Sequence, residues 1–240
     1  MALKQTWIAC VAVLMLVSAV RAEEGLNTLT DAEKAAGWKL LFDGKTLSGW
    51  HSFKEKEALP EWSVKDGVLR LDPIKGKRNP GLVSDGTYEN FELSVEWKIS
   101  PGGNSGVFYR VIEEGGDLNW GGIECQVLDN DKHPDAKVDA NRKAGAAYYM
   151  YPPTKDMAKP VGEWNQLRII VQGNHVEHWL NGEKVVDYEI LSEDWLKRYA
   201  LSKFKTHPKY GWTAKGHLAL QEHGDPVEFR NIKIREMGAK

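Results

Sequence analysis

Between Phe91 and Ile99 apolar and polar side chains alternate without a break. Phe91, Leu93, Val95, Trp97 and Ile99 share one parity, and Glu92, Ser94, Glu96 and Lys98 share the other. A strand sends successive side chains to opposite faces, so this run demands a strand with one face in a core and one outside it. The same period recurs at Val107, Tyr109 and Val111, at Ile123, Cys125 and Val127, and through Leu167 to Val171 and Val176 to Leu180. It returns at Lys184 to Tyr188, at Leu218 and Leu220, and from Val227 to Ile234. Asp66-Gly67 and Asn181-Gly182 sit between such runs, where a two-residue hairpin turn belongs. A change of parity near Arg230-Asn231 predicts a bulge. Two segments depart from the pattern: a helical turn at Asp31 to Ala35, and Ser192 to Phe204, whose apolar spacing predicts one short surface helix. About ten to twelve strands with one such helix make an all-β chain, two packed antiparallel sheets in a β-sandwich or jelly roll.

At 240 residues the chain can bury a core without disulfide staples. Lysine and arginine (32) nearly balance aspartate and glutamate (34), which argues against a polycationic nucleic-acid binder. Residues 1–22 read as a secretory signal peptide: Lys4, an apolar run from Trp7 to Val20, then Val20-Arg21-Ala22 as the cleavage site. The run is too short for a comfortable membrane span. Residues 23–37 then form a lead-in and residues 38–240 the sandwich domain, and the leader implies a periplasmic or secreted destination. Cys125 is the one cysteine left after cleavage, so no internal disulfide forms, and its apolar neighbours place it in the core.

Parity also sorts the polar residues. If the apolar sets face inward, then Glu96, Arg110, Glu124, Gln126, Gln221 and His223 face outward, with Asn104 in step with Arg110. An ordinary solvated face is the plainer reading of such a set. Against it, lysine is scarce, and the amides, imidazole and guanidinium are groups that recognise hydroxyls and carbonyls. Glu124 and Asp129 also place two acids near one strand end, which would suit a glycosidase. His223 in Gln221-Glu222-His223-Gly224-Asp225 is readable as a general base, a metal ligand or a packed edge residue. No zinc motif, phosphate loop or dinucleotide fingerprint is present.

The ordered motifs resemble the 3-keto-disaccharide hydrolase domain family, formerly a domain of unknown function. They are Phe42-Asp43-Gly44-Lys45-Thr46-Leu47-Ser48-Gly49-Trp50, Trp62 with Asp66-Gly67-Val68-Leu69, and Phe91 to Trp97. Gly103-Asn104-Ser105-Gly106-Val107-Phe108-Tyr109-Arg110, Glu124-Cys125-Gln126-Val127-Leu128-Asp129 and Ala144-Gly145-Ala146-Ala147-Tyr148 follow. Gly162-Glu163-Trp164-Asn165, Leu180-Asn181-Gly182 and Gln221 to Asn231 complete the set over residues 38–236. Glu222 stands where that family usually has aspartate. The resemblance implies a concanavalin A-like, laminarinase-like jelly roll in an exported enzyme acting on 3-keto-glycosides. It also implies a partner oxidoreductase that makes the ketone.

A ketone at carbon 3 acidifies the proton on carbon 2. Its removal gives an enolate that expels the carbon 1 substituent, and water can then add. The route needs a base, an enolate stabiliser and an acid for the leaving oxygen. On this reading Glu124 or His223 is the base, and Tyr148 or Asp129 is the acid or an orienting group. Asn104, Arg110, Gln126 and Gln221 hold hydroxyls or polarise the carbonyl, and Trp120 is the sugar platform. A divalent metal ion held by Glu124, His223 and a neighbour would serve as the enolate stabiliser; the residues alone neither require nor identify one. Two other classes stay open at this level. A conventional glycosidase would use Glu124 and Asp129. A non-catalytic carbohydrate-binding module would use exposed tryptophans, with Trp50, Trp120 and Trp212 as candidates.

Overall fold

Both two-residue turns have left-handed backbone at each position. Asp66 and Gly67 have φ of 52° and 75°, and Asn181 and Gly182 have 51° and 86°. This is the geometry of a type I′ turn, whose twist matches the strands it joins. The first links β3 (Trp62–Lys65) to β4 (Val68–Leu71), and the second links β10 (His175–Leu180) to β11 (Glu183–Glu189). The computed structural model describes residues 25–74 and 80–238; the expected leader, residues 1–22, lies outside the described residues.

The remaining strands are β1 (Trp38–Leu40), β2 (Trp50–Ser52), β5 (Leu82–Tyr88), β6 (Phe91–Ile99), β7 (Asn104–Val111) and β8 (Ile123–Leu128). After them come β9 (Asn165–Gln172), β12 (Gly216–Leu220) and β13 (Val227–Glu236). One sheet has eight strands in the order β11-β10-β9-β6-β13-β4-β3, with β1 on β13; the other has five, β2-β5-β12-β7-β8. Every pairing is antiparallel. The two-sheet all-β architecture follows the sequence pattern. β2 and β5 escaped it because they carry Ser52, Ser84, Asp85 and Gly86 in place of a clean apolar stripe.

Helix α1 (Asp31–Ala35) is closed by Thr30 and Glu33 in a capping box. Helix α2 (Glu193–Leu201) starts where Ser192 accepts the Trp195 N–H at 3.2 Å. It stops short of Phe204 because Ser202, with extended backbone, caps a separate 3-10 turn at Lys203–Thr206. Among the described residues no helix is long and apolar enough to cross a membrane.

The core lies between the sheets. Leu93, Val95, Trp97, Ile169 and Phe229 meet Val107, Tyr109, Cys125, Val127, Leu218 and Leu220 there. Large apolar side chains buried this fully contribute about 1.5–3 kcal/mol each. The register of β13 against β6 slips between Arg230 and Lys233, and Asn231 has φ of 51°. That bulge lets both Phe229 and Ile232 face the core.

Two expectations about the polar set need correction. Glu96 lies in the eight-stranded sheet, away from Glu124, and its carboxylate accepts bonds from Arg230 (2.7 Å) and Asn231 (3.0 Å). Arg110 does not share the outer face either. It has φ of 58°, inside a register shift where Phe108 pairs Ala219 and Val111 pairs His217. The extra residue reverses the parity and turns the guanidinium inward. There Arg110, 2% exposed, donates to the carbonyls of Gly211 (3.0 Å) and Gly173 (2.6 Å), tying the ends of both sheets.

Candidate active site

β8 would be the edge of its sheet, but the segment from Ala144 to Tyr148 covers it. Gly145 N–H donates to Gln126 O (2.8 Å), Gln126 N–H to Ala146 O (3.0 Å) and Tyr148 N–H to Glu124 O (2.9 Å). Cys125 pairs Ala147. Tyr148 therefore stands opposite Glu124, and its side chain leaves from the same face as those of Glu124 and Gln126.

A buried network holds this segment from beneath. His178 Nδ1 donates to Gly145 O at 3.0 Å, and its Nε2 lies 2.9 Å from the Tyr109 hydroxyl. A carbonyl only accepts, so Nδ1 carries the proton and Nε2 of the neutral ring accepts from Tyr109. Tyr109 must then accept from Tyr188, 2.5 Å away. Burial pushes the His178 pKa down to about 4, only partly opposed by the Gly145 carbonyl, so the ring stays neutral.

Glu124 is 2% exposed and lies over Gly106, where any Cβ would overlap its carboxyl group. Burial pushes its pKa up to about 8. The Lys203 ammonium pulls it down, the Asp135 carboxylate pushes it further up, and a hydrogen bond from Gln221 lowers it. Lys203 and Asp135 were not singled out in the sequence. Lys203 projects from the 3-10 turn after α2, with its Nζ 4.5 Å from the Tyr148 ring centre and 5.1 Å from that of Phe204. Desolvation by this surround holds its pKa below the usual lysine value, against the pull of Glu124 and Asp135. The residue keeps an exposed side, so it stands at the mouth of the site.

Asp135 sits in the 3-10 turn Pro134–Lys137, capped by the His133 side chain. It accepts from Tyr148 Oη and from Arg142 Nη1, both at 2.8 Å. Burial raises its pKa, but these two bonds and the Arg142 charge outweigh burial and leave it lowered. Burial and Asp135 together raise the Tyr148 pKa, so its hydroxyl stays protonated. His223 is exposed on the rim, its ring 6.4 Å from that of His133. The only signal for Asp135 and Lys203 was their residue type, in segments without strand periodicity.

Three amide oxygens complete the site. Asn104 Oδ1, Gln126 Oε1 and Gln221 Oε1 are shielded from solvent and have no hydrogen-bond partner among the described residues. Gln126 Nε2 donates to Arg142 O (3.3 Å), and the Asn104 N–H donates to Asp225 (3.0 Å). Unpaired buried acceptors are costly, and hydroxyl groups of a ligand would satisfy them.

Other predicted residues lie elsewhere. Asp129 is not a second carboxylate facing Glu124: Oδ1 accepts the N–H groups of Asp131 (3.0 Å) and Lys132 (3.2 Å), and Oδ2 that of Gly102 (2.7 Å). It follows Glu124 by five positions, an odd offset that reverses its parity. Trp120 is half-buried, its indole packed edge-on against His207 (5.7 Å) and beneath Gly115. Trp50 is a core residue that donates to Leu41 O at 2.6 Å, whereas Trp212 is 52% exposed. Glu124 meets Gln221 and an ammonium, and among the described residues the one three-donor cluster is His175, Glu177 and Asp187, on the other sheet.

Residues 37–235 match the family described as the 3-keto-alpha-glucoside-1,2-lyase-like domain. The chain belongs to this family. It is similar to the 3-keto-disaccharide hydrolase of Bacteroides thetaiotaomicron, 36% identical over 84% of this chain and 79% of that one. It is also similar to the solved structure of a candidate glycosyl hydrolase from Parabacteroides distasonis. That match has a TM-score of 0.81 and 36% identity and covers 89% of this chain and 100% of that one. A galectin-like protein of Bacillus subtilis (TM-score 0.53, 8% identity, 90% and 96% covered) shares the fold alone. The expected jelly roll therefore holds, and membership makes the chain an enzyme of the carbohydrate-hydrolase type.

Proposed function

We propose that the protein cleaves 3-keto-glycosides by removing the proton on carbon 2 and expelling the carbon 1 substituent. The observation that carries this reading is a buried carboxyl group, Glu124, with its pKa raised to about 8 beside the Lys203 ammonium. A carboxylate with a pKa near the working pH is a stronger base than an ordinary one and also a usable acid. Glu124 takes the carbon 2 proton. The Lys203 ammonium stabilises the negative charge that develops on the carbon 3 oxygen. The carbon 1–oxygen bond then breaks, and protonated Glu124 returns the proton to the departing oxygen. The proton moves from carbon 2 to the leaving group, so the elimination balances without another reactant. Water adding to the new double bond completes hydrolysis, and exposed His223 on the rim is the group that would deprotonate it.

Asn104, Gln126 and Gln221 offer their unpaired oxygens to ring hydroxyls, and Tyr148, fixed by Asp135, walls the ring. A ketone substrate requires a supplier, a reaction that oxidises the carbon 3 hydroxyl of a glycoside. Export follows from the leader reading of residues 1–22 and is tested by fractionating cells that express the whole chain.

The test of function uses residues 23–240 with a 3-keto-glucoside and its unoxidised parent, with and without a chelator. Release of the leaving group from the keto substrate alone supports the proposal, and the chelator lane reports on a metal ion. Cleavage of the parent would favour a conventional glycosidase. Cleavage of neither would favour a binding module.

A further inference from the structure

The outer face of the eight-stranded sheet carries a group of side chains that the proposed reaction does not use. β11 and β10 form one edge of that sheet, and their register sets His175 opposite Glu189 and Glu177 opposite Asp187. Val176, His178 and Tyr188 between them are buried, so these four side chains leave the face away from the core. His175 Nε2 lies 3.5 Å from Glu177 Oε1 and 3.8 Å from Asp187 Oδ1, and one donor atom from each of the three falls within 4.8 Å of the others. A tetrahedral zinc ion with ligands at about 2.0–2.1 Å holds its donors about 3.4 Å apart. The three side chains therefore already stand near the separation such an ion imposes. Their remaining polar atoms are held by other neighbours. Trp179 Nε1 donates to Glu177 Oε2 at 2.7 Å, Lys184 Nζ donates to Asp187 Oδ2 at 2.5 Å, and Glu189 Oε2 lies 3.4 Å from His175 Nδ1. Outer partners of this kind fix the orientation of metal-binding side chains, and a carboxylate on the far nitrogen fixes the imidazole tautomer.

We propose that His175, Glu177 and Asp187 form a binding site for zinc or a divalent transition ion of the same character. His175 binds through Nε2 and keeps its Nδ1 proton turned toward Glu189. The two carboxylates neutralise the charge of the ion, and water takes the fourth position. One imidazole nitrogen among the donors favours zinc over calcium, which prefers a larger set of oxygens. Lys184 Nζ also donates to Glu177 Oε1 at 3.2 Å, so its ammonium now stands where a cation is wanted. Its side chain is partly exposed on a flexible stem, and the ion displaces it from Glu177 while leaving its bond to Asp187 Oδ2. An ion held this way bridges β10 and β11 and pins the outermost strand of the sheet. The site lies on the sheet opposite Glu124 and stands whether or not the reaction proposed above is correct.

Zinc chloride titrated into the metal-free protein by calorimetry tests the site, with thermal unfolding at matched zinc concentrations as a second readout. Wild type should bind zinc, and zinc should raise its midpoint of unfolding, because a ligand that binds only the folded chain stabilises it. His175→Gln and Asp187→Asn should each weaken that binding by about tenfold or more and shrink the rise in midpoint. Lys184→Met removes the competing ammonium and should tighten binding by about threefold or more. Glu124→Gln should bind zinc as wild type does; loss of binding in that variant would place the ion in the candidate active site and overturn the assignment. Calcium should bind more weakly than zinc by about tenfold or more, and equal affinity would reduce the cluster to an ordinary acidic patch. No zinc binding by wild type, equal affinity in wild type and His175→Gln, or weaker binding in Lys184→Met would each overturn the proposal.

Discussion

Tyr148 faces Glu124 across a two-stranded edge: its N–H donates to the Glu124 carbonyl at 2.9 Å, and both side chains leave the same face. Everything distinctive about the site depends on that pairing. It brings Asp135, the hydrogen-bond partner of Tyr148, close enough to raise the Glu124 pKa. It also gives Lys203 an aromatic ring to rest on.

The first prediction concerns Glu124 itself. Glu124→Gln should lower kcat/KM on a 3-keto-glycoside by about 10²–10⁴-fold. As a base, Glu124 must be ionised. Wild-type kcat/KM should therefore rise about tenfold per pH unit and level off at about 8. The variant should lose that limb. A wild-type rate that falls through the same pH would make the starting form of Glu124 an acid and remove it as the base.

The neighbours of Glu124 should move that limb in opposite directions. Lys203 lowers the Glu124 pKa, so Lys203→Met should shift the limb to higher pH and lower kcat, since the oxyanion loses its partner. Asp135 raises it, so Asp135→Asn should shift the limb to lower pH. Methionine keeps an apolar stem against Phe204 and Tyr148. Two shifts of the same sign in the pH profiles would break this electrostatic account.

The fold was far more legible than the site, for a physical reason. Strand parity and the Asp66-Gly67 and Asn181-Gly182 turns are local signals, readable from adjacent residues. Parity placed Glu124, Gln126 and Gln221 on one face, because the extra residues at the β12 register shift lie on β5 and β7 and leave the count along β12 intact. It failed for Arg110, where one left-handed residue reverses the count, and for Glu96, whose strand lies in the other sheet. Lys203 and Asp135 come from 3-10 turns 68 residues apart in sequence, and only the packing of α2 and the edge segment brings their charges to Glu124. No periodicity in the chain encodes that meeting.

Asp129 separates the two enzymatic readings. Its carboxylate is occupied by three backbone N–H groups, those of Asp131 and Lys132 in its own loop and of Gly102 in the turn between β6 and β7. Asp129→Ala should cost about 1–3 kcal/mol of stability in a urea titration, as buried donors lose their acceptor. Turnover of a 3-keto-glycoside per folded molecule should stay within about fivefold of wild type, since the side chain holds its own loop and the turn before β7 and does not face Glu124. Complete loss of turnover in a folded variant would restore Asp129 to the catalytic pair.

His178 should make stability depend on pH in a defined window. The folded ring titrates at about 4 and the unfolded one at 6.5. Below pH 6.5 the unfolded chain binds a proton that the buried ring refuses. The His178 contribution is therefore intact above 6.5, declines as pH falls toward 4, and is constant below that. At about 1.4 kcal/mol per pKa unit, the loss is about 3 kcal/mol. Glutamine can donate to Gly145 O and accept from Tyr109 without titrating, so His178→Gln isolates this effect from the carboxylates that titrate in the same range. The stability gap between wild type and variant, from urea titrations at pH 7 and pH 4, should shift by about 3 kcal/mol in favour of the variant at the lower pH. A gap independent of pH would mean that the folded ring accepts a proton, and the donor order from His178 through Tyr109 to Tyr188 would then be wrong.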